Sequence, residues 1–182
     1  TAQAGEALVL GKPLGVGILS AALKKNELDA AGYAAMIRAT TQLNRPGTEL
    51  ARLGGVHALT DVTGFGLLGH TLELARGAGL TARIDSDALR WLPGVQALAA
   101  RGVVTGASGR NWASYGDAVD GKVEGDATLR ALLTDPQTSG GLLAACAPEA
   151  VDEVLALFAR DGFGEAAVVG RMEAGAARVL VD

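Results

Sequence analysis

The chain has 182 residues, 49% of them hydrophobic and 20% charged, with a net charge of -4 and a pI near 5.2. A chain of this length suits a single domain that buries roughly 70% of its unfolded surface, which excludes intrinsic disorder and removes any need for disulfide or metal staples. Aromatic residues make up only 4% of the chain and no block of Lys or Arg stands out, so no nucleic-acid partner is expected. No uncharged apolar run approaches the ~20 residues of a membrane span, and the opening residues lack the basic and apolar segments of a secretory leader. Thr1 stands where an initiator Met would, which leads to the expectation of a fragment. The single Cys146 rules out an internal disulfide and, within Leu142-Leu143-Ala144-Ala145-Cys146, reads as a core thiol in a reducing, cytoplasmic setting.

In chain order, Ala7-Leu8-Val9-Leu10 predicts a short strand ending in the turn Gly11-Lys12-Pro13, with Gly15 and Gly17 keeping the next stretch loose. Asn26 is read as the N-cap of a helix running to about Leu43, because Leu28, Ala31, Ala35, Ala39 and Leu43 recur at helical spacing. Pro46 suits a first helical turn, which Gly54-Gly55 would stop. His57 to Thr60 reads as a strand, followed by a helix with Leu68, Leu72 and Ala75 on one face that ends at Gly77 and Gly79. Leu80 to Ile84 alternates like a strand exposed on one face. Pro93 starts a short helix closing near Gly102, and the glycine-rich stretch from Thr105 to Gly125 reads as mostly loop. Gly141 to Ala147 predicts a buried strand, and Pro148 leads a helix with Val151, Val154, Leu155 and Phe158 on one face. Ala166 to Val169 and Arg178 to Val181 read as a closing strand pair. The pattern predicts an α+β domain in which helices cover a mixed sheet.

Two segments have the makings of a site. In Thr60-Asp61-Val62-Thr63-Gly64-Phe65-Gly66, a strand passes into a helix. Gly64 and Gly66 permit close backbone approach to a ligand, and the helix start offers free N–H groups. Asp61 there could hold a hard cation such as Mg²⁺ or could merely cap the helix. In Asp135-Pro136-Gln137-Thr138-Ser139-Gly140-Gly141, small hydroxyls beside two glycines could form an anion-binding nest or an ordinary turn. His57 and His70 flank the first segment without a third ligand, and His70 reads as a structural imidazole on the helix. Ser139 has no His base beside it and no nucleophile elbow surrounds it, so no hydrolase triad is expected. Lys12 could reach a phosphate, although an exposed turn lysine is the default reading, and Arg110-Asn111 could clamp an anion or be solvated.

Taken in order, Leu8-Val9-Leu10-Gly11-Lys12-Pro13-Leu14-Gly15, Leu59 to His70 (LTDVTGFGLLGH), Arg110-Asn111-Trp112 with Ser114-Tyr115-Gly116, and Asp135 to Leu143 (DPQTSGGLL) resemble the selenophosphate synthetase family across essentially the whole chain. Gly11 departs from the Thr more usual in the family before Lys-Pro. The resemblance implies an enzyme that makes selenophosphate from selenide, ATP and water, releasing AMP and phosphate. It also implies membership of the aminoimidazole ribonucleotide synthetase superfamily, with residues 1–182 forming the C-terminal domain. An N-terminal domain outside this sequence would carry the catalytic Cys or selenocysteine, an essential Lys and most of a homodimer interface. By resemblance, Asp61 is a Mg²⁺ ligand, Thr63, Gly64 and Gly66 shape the ATP phosphate corner, and Thr138, Ser139, Gly140 and Gly141 line the same cleft. Cys146 lies in the wrong context for the nucleophile, and no catalytic residue is assigned here. A thiamine-monophosphate kinase-like or hydrogenase-maturation enzyme is a rival that the DPQTSGG segment argues against, and a non-enzymatic relative is a second.

Overall fold

A computed structural model describes residues 1–182. The strands are β1 (Ala7–Leu10), β2 (Val56–Asp61), β3 (Thr81–Ile84), β4 (Val119–Gly121), β5 (Leu142–Cys146), β6 (Ala167–Glu173) and β7 (Arg178–Val181). The helices are α1 (Val16–Lys24), α2 (Ala30–Thr41), α3 (Gly47–Leu50), α4 (Gly66–Ala78), α5 (Val95–Ala100), α6 (Gly106–Tyr115), α7 (Lys122–Gly125), α8 (Ala127–Leu133) and α9 (Val151–Arg160). All seven strands form one sheet in the order β2-β5-β1-β6-β3-β7-β4. Pairing is antiparallel from β2 through β3 and parallel between β3, β7 and β4, so the sheet is mixed and the architecture α+β as the sequence predicts.

The central strands carry apolar side chains on both faces, which is why helices must cover both. Leu8 and Leu10 of β1 join Leu143 and Ala145 of β5 against Leu67, Leu68 and Leu72 of α4. The alternate residues, Val9, Leu142 and Cys146, pack on the opposite face against Val154, Leu157 and Phe158 of α9. A third cluster lies among α1, α2 and α5, built on Ile18, Leu19, Ala35, Met36 and Val95. Cys146 is fully buried in the α9 layer, as expected of a core thiol, and burial first, then the nearby Glu6 charge, pushes it up to about 11.

Several local expectations give way. The stretch after Gly15 is helix α1, not loose chain, because Gly15 supplies a left-handed turn (φ 118°) and its amide is bonded by a side chain far along the sequence. Asn26 is not an N-cap. It takes the left-handed conformation (φ 57°) that Asn tolerates just beyond α1, and the cap of α2 is Asp29, whose carboxylate accepts from Gly32 N–H. The α2 helix stops at Thr41. Gly77 lies within α4, and the left-handed Gly79 alone closes it. β3 is largely covered on both faces, since it lies inside the sheet between β6 and β7. For the same reason β6 and β7 are not a pair, and their connection steps over β3. The segment from Thr105 to Gly125, expected as loop, contains α6, β4 and α7.

The N-terminus of α1 is capped across the fold. Gln137 Oε1 accepts from the amides of Gly15 and Val16 at 3.1 Å each, and Asp135 Oδ2 accepts from Ile18 N–H at 3.2 Å and from Gln137 Nε2 at 3.0 Å. Asp135 is fully buried and its Oδ1 has no partner, so desolvation pushes its pKa up to about 7 against the pull of those donors. An aspartate of the unfolded chain releases its proton near 4, so the folded chain holds this proton over a window in which the unfolded chain does not. The contribution of Asp135 to stability is therefore full below about pH 4 and is lost as pH rises through about 7. Replacing it with Asn should remove that slope. In urea denaturation the stability of Asp135→Asn relative to the wild type is expected to improve between pH 5 and 8, with a ceiling of about 4 kcal/mol.

Candidate functional site

The two singled-out segments lie side by side because β2 and β5 are sheet neighbours, with Asp61 opposite Leu142. Beyond the ladder the loops continue to bond through their backbones. Val62 N–H donates to Gly141 O at 2.9 Å, and Gln137 N–H donates to Thr63 O at 2.9 Å. The approach is so close that a Cβ on Gly140 would lie 2.0 Å from the Val62 carbonyl oxygen. Gly66 (φ 69°) is likewise fixed by the fold, because a Cβ there would lie 2.7 Å from the Thr134 carbonyl carbon. Gly64 differs. It is exposed, and a Cβ would meet nothing within 4 Å.

Helix α6 holds this junction from outside. Asn111 Nδ2 donates to Gly64 O at 2.9 Å and to Thr134 O at 3.0 Å, so one buried amide bonds the loop before α4 to the end of α8. Tyr115 donates its hydroxyl to Phe65 O at 2.6 Å, and Ser108 bonds Thr134 Oγ1 at 2.6 Å and Ala131 O at 2.9 Å. Burial pushes Tyr115 well above the ordinary phenol range, so it stays a donor. The inward face of α6 is thus polar, which apolar periodicity could not reveal. The available signal was Thr105 three residues before Ser108, and the Thr105 hydroxyl does accept from Ser108 N–H at 3.2 Å. Asn111 is therefore neither an anion clamp nor solvated, whereas Arg110 is exposed.

His70 is buried on α4 as the structural imidazole expected, with Nε2 3.1 Å from Thr63 Oγ1 and Nδ1 2.9 Å from Glu73 Oε2. His57 pairs with the buried Glu6 at the far end of β2. Lys12 departs from the exposed-turn reading. It is only 3% exposed, and its ammonium donates to Ala39 O at 3.0 Å, Gln42 O at 2.7 Å and Ser139 O at 2.7 Å. Burial draws its pKa below the ordinary lysine value.

Asp61 is exposed at the C-terminal end of β2 and takes part in no ion pair. No cluster of three or more His, Cys, Asp or Glu side chains forms around it or elsewhere, so Asp61 is not part of a ready-made metal cage. The backbone of the two loops beyond the paired ends of β2 and β5 carries free donors. The amides of Thr63, Gly64 and Phe65 bond to no backbone carbonyl, nor do those of Thr138, Ser139, Gly140 and Gly141. Helix α4, 13 residues long, begins at this point without a side-chain cap. Ser139 sits in the left-handed region (φ 51°), which bends the second loop. Thr138 is exposed, Thr63 and Ser139 are half-buried, and Gly66, Gly140 and Gly141 are buried by the packing just described.

The chain matches the family model described as "AIR synthase related protein, C-terminal domain" over residues 3–182. It is 71% identical over 180 residues to a selenide, water dikinase of Paraburkholderia xenovorans and 51% identical over 179 residues to one of Rhizobium meliloti, covering 99% and 98% of this chain. It spans about half the length of these relatives, 51% in each case. Among solved structures, a hydrogenase maturation protein HypE of E. coli superposes with a TM-score of 0.67 at 24% identity over 99% of this chain and 47% of that one. A thiamine-monophosphate kinase from Stenotrophomonas maltophilia gives 0.66 at 19% over 100% and 51%, and a HypE solved in complex with ATP gives 0.64 at 16% over 99% and 48%. At these identities the structural likeness establishes the fold alone.

The buried Gly140 and the exposed Gly64 should respond in opposite ways to added bulk. By thermal denaturation, Gly140→Ala is expected to cost at least about 2 kcal/mol, because backbone must shift to admit the methyl. Gly64→Ala should leave stability within about 0.5 kcal/mol of the wild type.

Proposed function

The chain belongs to the family of AIR synthase related proteins, as their C-terminal domain, and we propose that it serves as the C-terminal half of a selenide, water dikinase. The whole enzyme would make selenophosphate from selenide, ATP and water, releasing AMP and phosphate. Residues 1–182 would act as one domain whose task is to complete the phosphate end of the nucleotide site. The observation that carries this reading is the exposed, unpaired Asp61 carboxylate at a strand end, beside two loops in which the amides of Thr63 to Phe65 and Thr138 to Gly141 bond to no backbone carbonyl. Polyphosphate calls for that combination. N–H groups and an uncapped helix start attract anionic oxygens, and a lone carboxylate can share a hard cation with them.

The donor set fits a Mg²⁺ ion only in part. Asp61 supplies one oxygen, and the remaining ligands would come from phosphate, water and the N-terminal half. When bound, Mg²⁺ would neutralise charge on the phosphoryl group being transferred. Asp61 would hold its carboxylate at a fixed distance from the loops because β2 is bonded to β5 directly beneath it. The amides of Gly64 and Phe65, and of Thr138 to Gly141, would bind and orient phosphate oxygens. Thr63, held by His70, would keep the first loop in register with the second. Gly66 would contribute by letting α4 begin against α8. Alone, the domain should be folded and inactive, since the resemblance places the nucleophile and essential Lys in the N-terminal half. The proposal includes a homodimer assembled through that half and a cytoplasmic setting in keeping with one buried, unpaired thiol.

The test combines this domain with a separately produced N-terminal half and measures selenide-dependent AMP formation with Mg²⁺, each half serving as its own control. Activity is expected only in the mixture, with Asp61→Ala lowering it by about 10²-fold or more, the scale of losing a group that stabilises transition-state charge. Unchanged metal-dependent turnover in Asp61→Ala would sink the assignment of that carboxylate. Silence from two folded halves that associate would favour a different substrate or a non-enzymatic role.

A further inference from the structure

The buried ammonium of Lys12 has no part in the proposed nucleotide chemistry, yet it is placed to control it. All of its protein bonds go to carbonyl oxygens, two at the C-terminal end of α2 (Ala39 and Gln42) and one in the DPQTSGG loop (Ser139). The first pair is the negative end of a helix dipole, a natural seat for a cation. The third bond joins that seat to Ser139, a non-glycine residue held in the left-handed region at φ 51°. A second clasp lies beside it, where Asn44 Nδ2 donates to Gly140 O at 2.8 Å. Gly141 packs directly on the Lys12 backbone, where a Cβ would lie 2.5 Å from the Lys12 nitrogen.

In a trans peptide the C=O of one residue and the N–H of the next point to opposite sides, and every peptide bond here is trans. Drawing the Ser139 carbonyl toward Lys12 therefore turns the Gly140 N–H away from it. Drawing the Gly140 carbonyl toward Asn44 turns the Gly141 N–H away from Asn44 in the same manner. We infer that Lys12 and Asn44 are positioning residues that orient the Gly140 and Gly141 amides of the phosphate-binding loop by gripping the carbonyls that precede them. This rests on the reading of that loop as a phosphate contact. The ligand class it serves is the polyphosphate of a nucleotide, and neither side chain touches the phosphate itself. Lys12 cannot serve as a direct phosphate ligand in this arrangement, because its three donors are all engaged.

The test uses the full-length enzyme and follows AMP formation over a range of Mg-ATP concentrations for Asn44→Ala, Lys12→Met and Asp61→Ala. A change that only weakens folding lowers the active fraction, so kcat falls at constant KM. A change that lets the amides swing loses phosphate affinity, so KM for Mg-ATP rises. The expected result is a rise of about tenfold for Asn44→Ala, the scale of one charge-assisted hydrogen bond misdirected, and a larger rise for Lys12→Met. Asn44 is half-buried and its removal leaves the core intact, so it decides the matter should Lys12→Met fail to fold. A folded Asn44→Ala enzyme with wild-type KM, alongside an inactive Asp61→Ala enzyme, would overturn the positioning role and leave the functional reading standing. Full activity in Asp61→Ala with unchanged KM in Asn44→Ala would overturn both.

Discussion

The arrangement depends on a backbone-to-backbone contact between two loops more than seventy residues apart in the chain. Val62 bonds to Gly141 and Gln137 to Thr63, at 2.9 Å each, with no side chain between them. Such an approach is possible only where one partner lacks a Cβ, and Gly140 meets that condition against the Val62 carbonyl. Once the loops are joined, the end of β2, the start of α4 and the start of α1 are fixed relative to one another. Asp61 then inherits its position from the sheet.

Polar side chains reinforce the junction at three points, each satisfying backbone groups that the loops would otherwise leave dry. Asn111 and Tyr115 bond the carbonyls of the first loop and Lys12 and Asn44 those of the second, while Gln137 and Asp135 cap α1. The outcome is a region in which the carbonyls of Thr63, Gly64, Phe65, Ser139, Gly140 and Gly141 are engaged while the amides of Thr63 to Phe65 and Thr138 to Gly141 bond to no backbone carbonyl. An excess of donors in fixed directions is what an anion requires, and it arises here without a single exposed Lys or Arg in the two loops. The cost is carried by Asp135, a buried carboxyl held in a donor-rich but dry place, with one oxygen unpartnered.

Much of this was legible in the sequence. The apolar runs at Ala7–Leu10 and Leu142–Cys146 marked the central strands, and the spacing of Val151, Val154, Leu155 and Phe158 marked α9. Period follows from one residue's neighbours, so these elements needed no tertiary information. The α6 helix was not legible, because its buried face consists of Ser108, Asn111 and Tyr115, whose partners lie 23 to 50 residues away. The order of β6, β3 and β7 was equally hidden, since adjacency in sequence says nothing about a strand inserted from elsewhere.

The α+β class, the strong strands and helices, and the two segments in which chemistry could sit all follow from the order of residues alone. They do so because glycine content, hydroxyls and a strand-end carboxylate are local properties. What each residue of those segments touches emerges only in the folded chain. There Gly66 and Gly140 answer to packing while Gly64 faces open space, and Lys12 is turned inward to bind carbonyls. The physical reason is that a side chain's role is set by the groups it meets, and for these residues those groups come from distant parts of the chain.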